Sequence, residues 1–411
     1  MFGIAAFTGH RNVWPILPAL MAFAGASRGA IAQSYTATNL GTLGGRNIYG
    51  YAINANGQVT GTGDLAGNRY HHAYISNGNT IIDLGTLNGT LNSDSDGSAI
   101  NASGQVAGDS GFPGAPNSLY VHAYIAGTTA LTDLGSLGGP LVSVMAVNDN
   151  AQVAGWSYTA NSGQHAFLAH GTTMTDLGTL GGSNSYATAM NASGQVTGDA
   201  FIAGDQIAHA FITHGTQMVD LGTLGGPDSE GTAINARGQV TGYADTPVVG
   251  GASAQHAFIT TGTAMTDLGT LGGETSQGLA INKRGQVTGR ADTETTGTTH
   301  AFVTNGTMMI DLGSLGGSFG EGLAINSLGE VVGAAYTTNN IAQHAFLYSR
   351  GRMIDLNKFL TTRQAEAYAL QEAVAINDDG LIVANAFNRS THAVQVFVLR
   401  PSKAADSDPA Q

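Results

Sequence analysis

An all-β propeller, built of eight four-stranded blades with seven as the alternative, is the fold class this sequence predicts, and three observations predict it. An apolar pair followed by Asn recurs eight times, ending at Asn54, Asn101, Asn148, Asn191, Asn235, Asn282, Asn326 and Asn377. Successive copies lie 43 to 51 residues apart, the length that four short strands and their turns require. The composition suits strands and tight turns: 60 Gly, 42% hydrophobic and only 10% charged residues. Coils of one strand and one helix fit worse, because helical periodicity is missing.

Each unit carries its elements in a fixed order. Three residues beyond the Asn stands a Gly, as at Gly57, Gly104 and Gly238, with Ala151 the exception. Asn-x-x-Gly between two apolar stretches signals a hairpin, and the Gly there accepts a positive φ without steric cost. Gln-Val-x-Gly, or a near variant, begins the next strand, and a variable loop follows it. Then comes His-Ala-Phe/Tyr at His72, His122, His165, His209, His256, His300 and His344, with His392-Ala393 as a degraded eighth copy. A Gly turn leads into x-Asp-Leu, at Asp83, Asp133, Asp176, Asp220, Asp267, Asp311 and Asp355, usually continued by Gly-Thr/Ser-Leu-Gly-Gly.

The two ends complement one another. Thr38 to Leu43 matches the last strand of a unit that has no beginning, and His392 to Leu399 begins a unit that has no last strand. Joined in space they complete an eighth blade, which removes two exposed sheet edges. Thr361 to Glu372 reads as helical and marks the closing blade as the most divergent.

Residues 1–32 read as a secretory signal peptide: Arg11 is basic, Val13 to Ala26 is apolar, and Ala30-Ile31-Ala32 offers a small-x-small cleavage site. That apolar run, interrupted by Pro15, Pro18 and Gly25, is too short to cross roughly 30 Å of hydrocarbon. A single propeller domain over 33–400 and a polar tail over 401–411 follow, with no later segment apolar enough to span a membrane. The expected location is outside the cell or in the periplasm. Cysteine is absent, so neither disulfides nor thiolate metal sites hold the fold. Loss of Arg11 and Arg28 with the leader takes the formal charge from −13 to −15, which argues against a nucleic-acid partner.

The ordered triplet His-Ala-Phe, together with Asp-Leu-Gly-Thr-Leu-Gly-Gly and Ala-Ile-Asn-x-x-Gly-Gln-Val, resembles the HAF-repeat family of bacterial extracellular repeat proteins across nearly the whole mature chain. The resemblance implies export and a propeller-like fold, and carries over no activity and no catalytic residue. The last unit departs from the pattern, with Leu381-Ile382-Val383-Ala384 in place of Gln-Val-x-Gly.

Residues common to every unit are explained by the unit. The histidines would be spread around a ring rather than converging on one ion, and each is expected to meet its own unit's Asp across the hairpin, eleven residues on. Function is expected where the repeat is broken. Immediately after Val-x-Gly the units differ: Thr62, Asp109, Trp156, Asp199, Tyr243, Arg290, Ala334 and Asn385. Asp109, Trp156, Tyr158, Asp199, Asp205, Tyr243 and Arg290 are therefore the candidate ligand contacts, placed on a loop face with Phe112 and Tyr120 among the aromatics beside them. Asn92, Asp94 and Asp96, followed by Gly97, have the spacing of a calcium loop without its later acid, so calcium is the one cofactor considered and none is otherwise expected.

Two functions follow. One is an extracellular or periplasmic binding or scaffold protein for a glycan or a protein. The other is a polysaccharide hydrolase or lyase using Asp109 and Asp199 as acid and base. The binding reading is preferred, because no His-Glu-x-x-His zinc helix or phosphate loop occurs in the chain.

Overall fold

Antiparallel strands dominate the computed structural model, which describes residues 34–402 apart from 79, 114–118, 128–129 and 248–253, and omits the side chains of 112, 113 and 119. The leader at 1–32 and the tail from 403 onward lie outside the described residues. Ser34–Ser402 forms one compact unit. Its strands form eight blades, each a four-stranded meander: blade 1 spans 44–85, blade 2 95–135, blade 3 138–176, blade 4 181–220, blade 5 229–267, blade 6 272–313 and blade 7 316–355. Blade 8 takes three strands from 368–401 and its fourth from Tyr35–Asn39. The protein is an eight-bladed β-propeller.

The blade boundary falls between Asp-Leu-Gly and Leu-Gly-Gly, because the two glycines already belong to the next blade's first strand, as in Gly181–Met190. First strands meet neighbouring first strands all the way round and therefore line the axis. In each blade an aromatic side chain from the third strand is wholly buried: Tyr74, Tyr124, Phe167, Phe211, Phe258, Phe302, Phe346 and Phe397. Each such burial contributes about 1.5–3 kcal/mol.

Register explains the Gly of Val-x-Gly, present in seven blades and replaced by Ala384 in blade 8. A register shift in the first strand turns a carbonyl toward the second, so a Cβ at Gly242 would lie 1.8 Å from the carbonyl oxygen of Glu230. Between blades, the Gly two positions before Ala-Ile-Asn packs onto the preceding blade: a Cβ on Gly278 would lie 2.4 Å from Thr241 Oγ1.

The repeated Asn closes the disc. Each side-chain Nδ2 donates to the main-chain oxygen of the next blade's Asn, at 3.0 Å from Asn54 to Asn101 and 3.1 Å from Asn235 to Asn282. The sequence of donors returns on itself when Asn377 donates to the Asn54 oxygen at 3.1 Å. The Oδ1 of each, as in Asn235, also accepts from the backbone of its own hairpin at Arg237 and Gln239.

Blade 8 alters the expected details. Phe397 pairs with Ala384 as Phe346 pairs with Gly333, so the eighth counterpart of His-Ala-Phe is Gln395-Val396-Phe397 rather than His392-Ala393. His392 instead occupies the preceding turn with φ at 53°. Asn39 faces Phe397 where the other units carry Asp, and its Oδ1 accepts from Gly41 N at 2.8 Å. The helix predicted over Thr361–Glu372 is confined to Thr362–Ala367, held by a capping box of Thr361 and Gln364. From Tyr368 the chain is extended, because the blade needs that segment as its axial strand.

Candidate functional site

The eight divergent residues after Val-x-Gly lie inside the second strands, and each pairs across the sheet with the residue five before the repeated Asn. The pairs are Tyr49/Thr62, Asp96/Asp109, Ser143/Trp156, Tyr186/Asp199, Glu230/Tyr243, Gln277/Arg290, Glu321/Ala334 and Glu372/Asn385. Asp109, Trp156, Asp199, Tyr243 and Arg290, expected on a loop face, lie in the second strands just before the variable loops, where their side chains form a wall at the seams between blades. Tyr158 lies near the end of the same strand as Trp156. Asp205 is at a loop tip, with φ at 54°, where its carboxylate accepts from Ser183 N at 2.6 Å and fastens the loop to the first strand of its own blade. Tyr120 is exposed, and the side chain of Phe112 is outside the described residues.

Three sectors differ in chemistry. In the first, Asp109 faces blade 3 and accepts from Val144 N at 3.3 Å. Burial, and then the charge of Asp96, pushes its carboxyl up to about 7. Burial and Asp96 likewise push the Tyr51 hydroxyl up to about 12. His71 bridges the seam, with Nε2 3.4 Å from Asp96 and Nδ1 3.3 Å from Asp94, and the Asp96 hydrogen bond raises its affinity for a proton. Asp94 and Asp96 are therefore engaged with His71, and Asn92 is exposed on the loop. Among the described residues no group of three acidic or histidine side chains is arranged around a metal position.

In the second sector Trp156 packs edge-on to Tyr158 and Tyr186, with ring centroids 6.3 and 5.8 Å apart. Asp199 lies beside this group, and burial followed by the charge of Glu230 pushes its carboxyl up to about 7. Tyr243 donates to Glu230 across its own blade. Asp109 and Asp199 do not form a pair: blade 3 stands between their blades, and each has a different carboxylate as neighbour.

In the third, Arg290 holds Gln277 Oε1 through Nε and Nη2, at 3.2 and 2.8 Å, and reaches Glu321 of blade 7 at 3.5 Å. It lines a cleft of about 200 Å³ together with Thr275, Asp292, Thr299 and Phe319.

The repeated His and Asp are elsewhere, in the outer hairpins. All seven pairs form, with His Nδ1 donating to the carboxylate over 2.8–3.0 Å. The same Asp caps its turn, as Asp311 Oδ1 does by accepting from Gly313 N at 2.7 Å. Burial acts to raise Asp83 and Asp355, but hydrogen bonds from His72 and His344 and from the turn amides outweigh it and hold both carboxyls low.

Sequence reasoning missed most of the first-strand half of the wall, Tyr49, Ser143, Tyr186, Glu230, Gln277, Glu321 and Glu372, and singled out Asp96 only as a calcium ligand. The available signal was the diversity at the fifth residue before each Asn, where Tyr, Asp, Ser, Glu and Gln all occur.

No family model and no curated protein matches the chain. Solved structures do resemble it. Dipeptidyl peptidase 4 from Porphyromonas gingivalis shares 10% identity at a TM-score of 0.50, over 86% of this chain and 59% of that one. The β-propeller domain of the Trilobed protease from Pyrococcus furiosus shares 9% at 0.49, over 76% and 95%. TolB from Acinetobacter baumannii shares 12% at 0.37, over 73% and 64%. At these identities the likeness is one of fold.

Proposed function

We propose that this propeller is an exported binding protein of the HAF-repeat type, which recognises a glycan or a protein through the divergent wall at its blade seams. One observation carries this reading. The polar groups repeated in the blades are consumed in holding the scaffold together, His on Asp and Asn on the next Asn, whereas the wall residues differ in charge, size and aromaticity from blade to blade. Trp156, Tyr158 and Tyr186 supply flat apolar faces beside hydrogen-bonding groups, a combination suited to sugar rings. Export is supported by the features of residues 1–32 and by the family resemblance.

The reading is tested by melting the mature chain, from Gln33 onward, with cellohexaose, xylohexaose and chitohexaose, since a ligand selective for the folded state raises its melting temperature. A concentration-dependent rise without release of new reducing ends supports binding. Absence of a rise with these sugars, and of any retained protein on a matrix coated with the producing cell's own envelope, contradicts it. A second reading, hydrolysis, is favoured by the carboxyl of Asp199, raised to about 7 and standing beside Glu230. It predicts reducing ends that disappear in Asp199→Asn.

A further inference from the structure

Four of the eight seams are clasped in one way. The side chain seven before the repeated Asn accepts the backbone N–H that precedes the preceding blade's His or its counterpart. Asp94 takes it from His71 at 3.0 Å, Asn184 from Gln164 at 2.9 Å, Asp228 from Ala208 at 2.9 Å and Asn47 from Val394 at 3.1 Å. Between blades 6 and 7 that position is Phe319, which has no acceptor. The backbones bridge directly instead, Thr299 to Phe319 in parallel, and fuse the two blades into one eight-stranded sheet. Losing the clasp leaves an aromatic ring at the seam, resting on Tyr336 with centroids 5.5 Å apart.

Around that ring the groups are those of hydroxyl recognition. Asp292 accepts from Thr275 and Thr299 at 2.6 and 2.8 Å, which orients both of its oxygens while leaving each a free lone pair. Arg290 is fixed in place by Gln277 and keeps N–H groups to spare, because three of its five donors suffice for its contacts with Gln277 and Glu321. Its charge is met by Glu321, and Asp292 adds a carboxylate to the same cleft, so the cleft offers no surplus cation for an acidic ligand.

Resting on the binding reading above, we propose that the cleft between blades 6 and 7 is the subsite for one ring of a neutral oligosaccharide. The apolar face of the sugar lies on Phe319, and its hydroxyls are shared by Asp292 and Arg290.

Calorimetric titration with cellohexaose, xylohexaose, chitohexaose and trigalacturonate tests this on the parent and on Arg290→Ala, Phe319→Ala, Trp156→Ala and Arg237→Ala, the last at an exposed hairpin tip outside the wall, each first checked for an unchanged melting transition. At least a tenfold loss of affinity for a neutral oligomer is expected from Arg290→Ala and from Phe319→Ala, larger than any loss from Trp156→Ala, with Arg237→Ala within twofold of the parent. Should Phe319→Ala melt early, Arg290→Ala and Asp292→Asn report in its place. Sugar binding that survives Arg290→Ala but is lost in Trp156→Ala overturns the cleft assignment while leaving the binding function standing. Tighter binding of trigalacturonate than of any neutral oligomer overturns the ligand class, and no binding of any sugar overturns the proposal outright.

Discussion

In the outer hairpin of blade 6, His300 meets Asp311 at 2.9 Å, and in blade 4 His209 meets Asp220 at 3.0 Å; yet at the seam of the same two blades Arg290 stands where Asp199 does. The difference follows from what each place must satisfy. An outer hairpin has a tight turn with a free amide and a partly buried imidazole, and one Asp serves both, so substitution there leaves two groups unsatisfied. A seam position only half withdrawn from water must fill space against the next blade, and Asp, Trp, Tyr and Arg all do so. Repetition therefore marks obligation to the backbone, and divergence marks the surface left free to acquire a ligand.

The largest effect should come from breaking the ring itself. Deleting the chain through Asn39 removes the strand that pairs with Ala393–Pro401 and exposes the edge that it covers. A fall of 10 °C or more in melting temperature, with aggregation, is expected by scanning calorimetry. Next is Asn235→Ala, which strips two hairpin amides of their acceptor and the Asn282 oxygen of its donor within a buried network. A loss of about 2–4 kcal/mol is expected from chemical denaturation, whereas Arg237→Ala, at the exposed tip of the same hairpin, should cost under about 0.5 kcal/mol.

Acid should separate the two regions by sign. Asp83 and Asp355 have folded-state affinities for protons below the unfolded value near 4, so their stabilisation is present above that pH and disappears as pH falls through the folded value. Asp109 and Asp199 are raised to about 7, so the folded state holds protons that the unfolded chain releases, and stability declines as pH rises from about 4 to 7. Asp109→Asn keeps an acceptor for Val144 N and removes the charge. It should melt a few degrees above the parent at pH 8, a gain that shrinks to nothing near pH 4. An equal gain at both pH values would assign the effect to packing instead.

The blade count, the strand order and the closure by both termini were legible because the repeat is written in residues that the backbone demands: Gly242, which has no room for a Cβ, Asn235 and the His256–Asp267 pair. The details of blade 8 were not. With its fourth strand paired to residues 358 to 366 positions away in sequence, nothing local shows that Gln395 and Asn39 replace His and Asp, and the triplet at His392 is a decoy displaced by three residues. The wall was half legible. Diversity after Val-x-Gly located one member of each pair, but its place within the second strand, and its partner on the axial strand, emerged only from the register.

The central claim is that repeated residues carry stability and divergent ones carry recognition. It is tested most directly by measuring, for Asp220→Ala and Arg290→Ala side by side, both the melting temperature and the affinity for the neutral oligosaccharide that the parent binds. The account predicts that Asp220→Ala melts about 2–4 °C lower with unchanged affinity, and that Arg290→Ala melts within a degree of the parent with affinity reduced at least tenfold. Affinity lost in Asp220→Ala and kept in Arg290→Ala would contradict it.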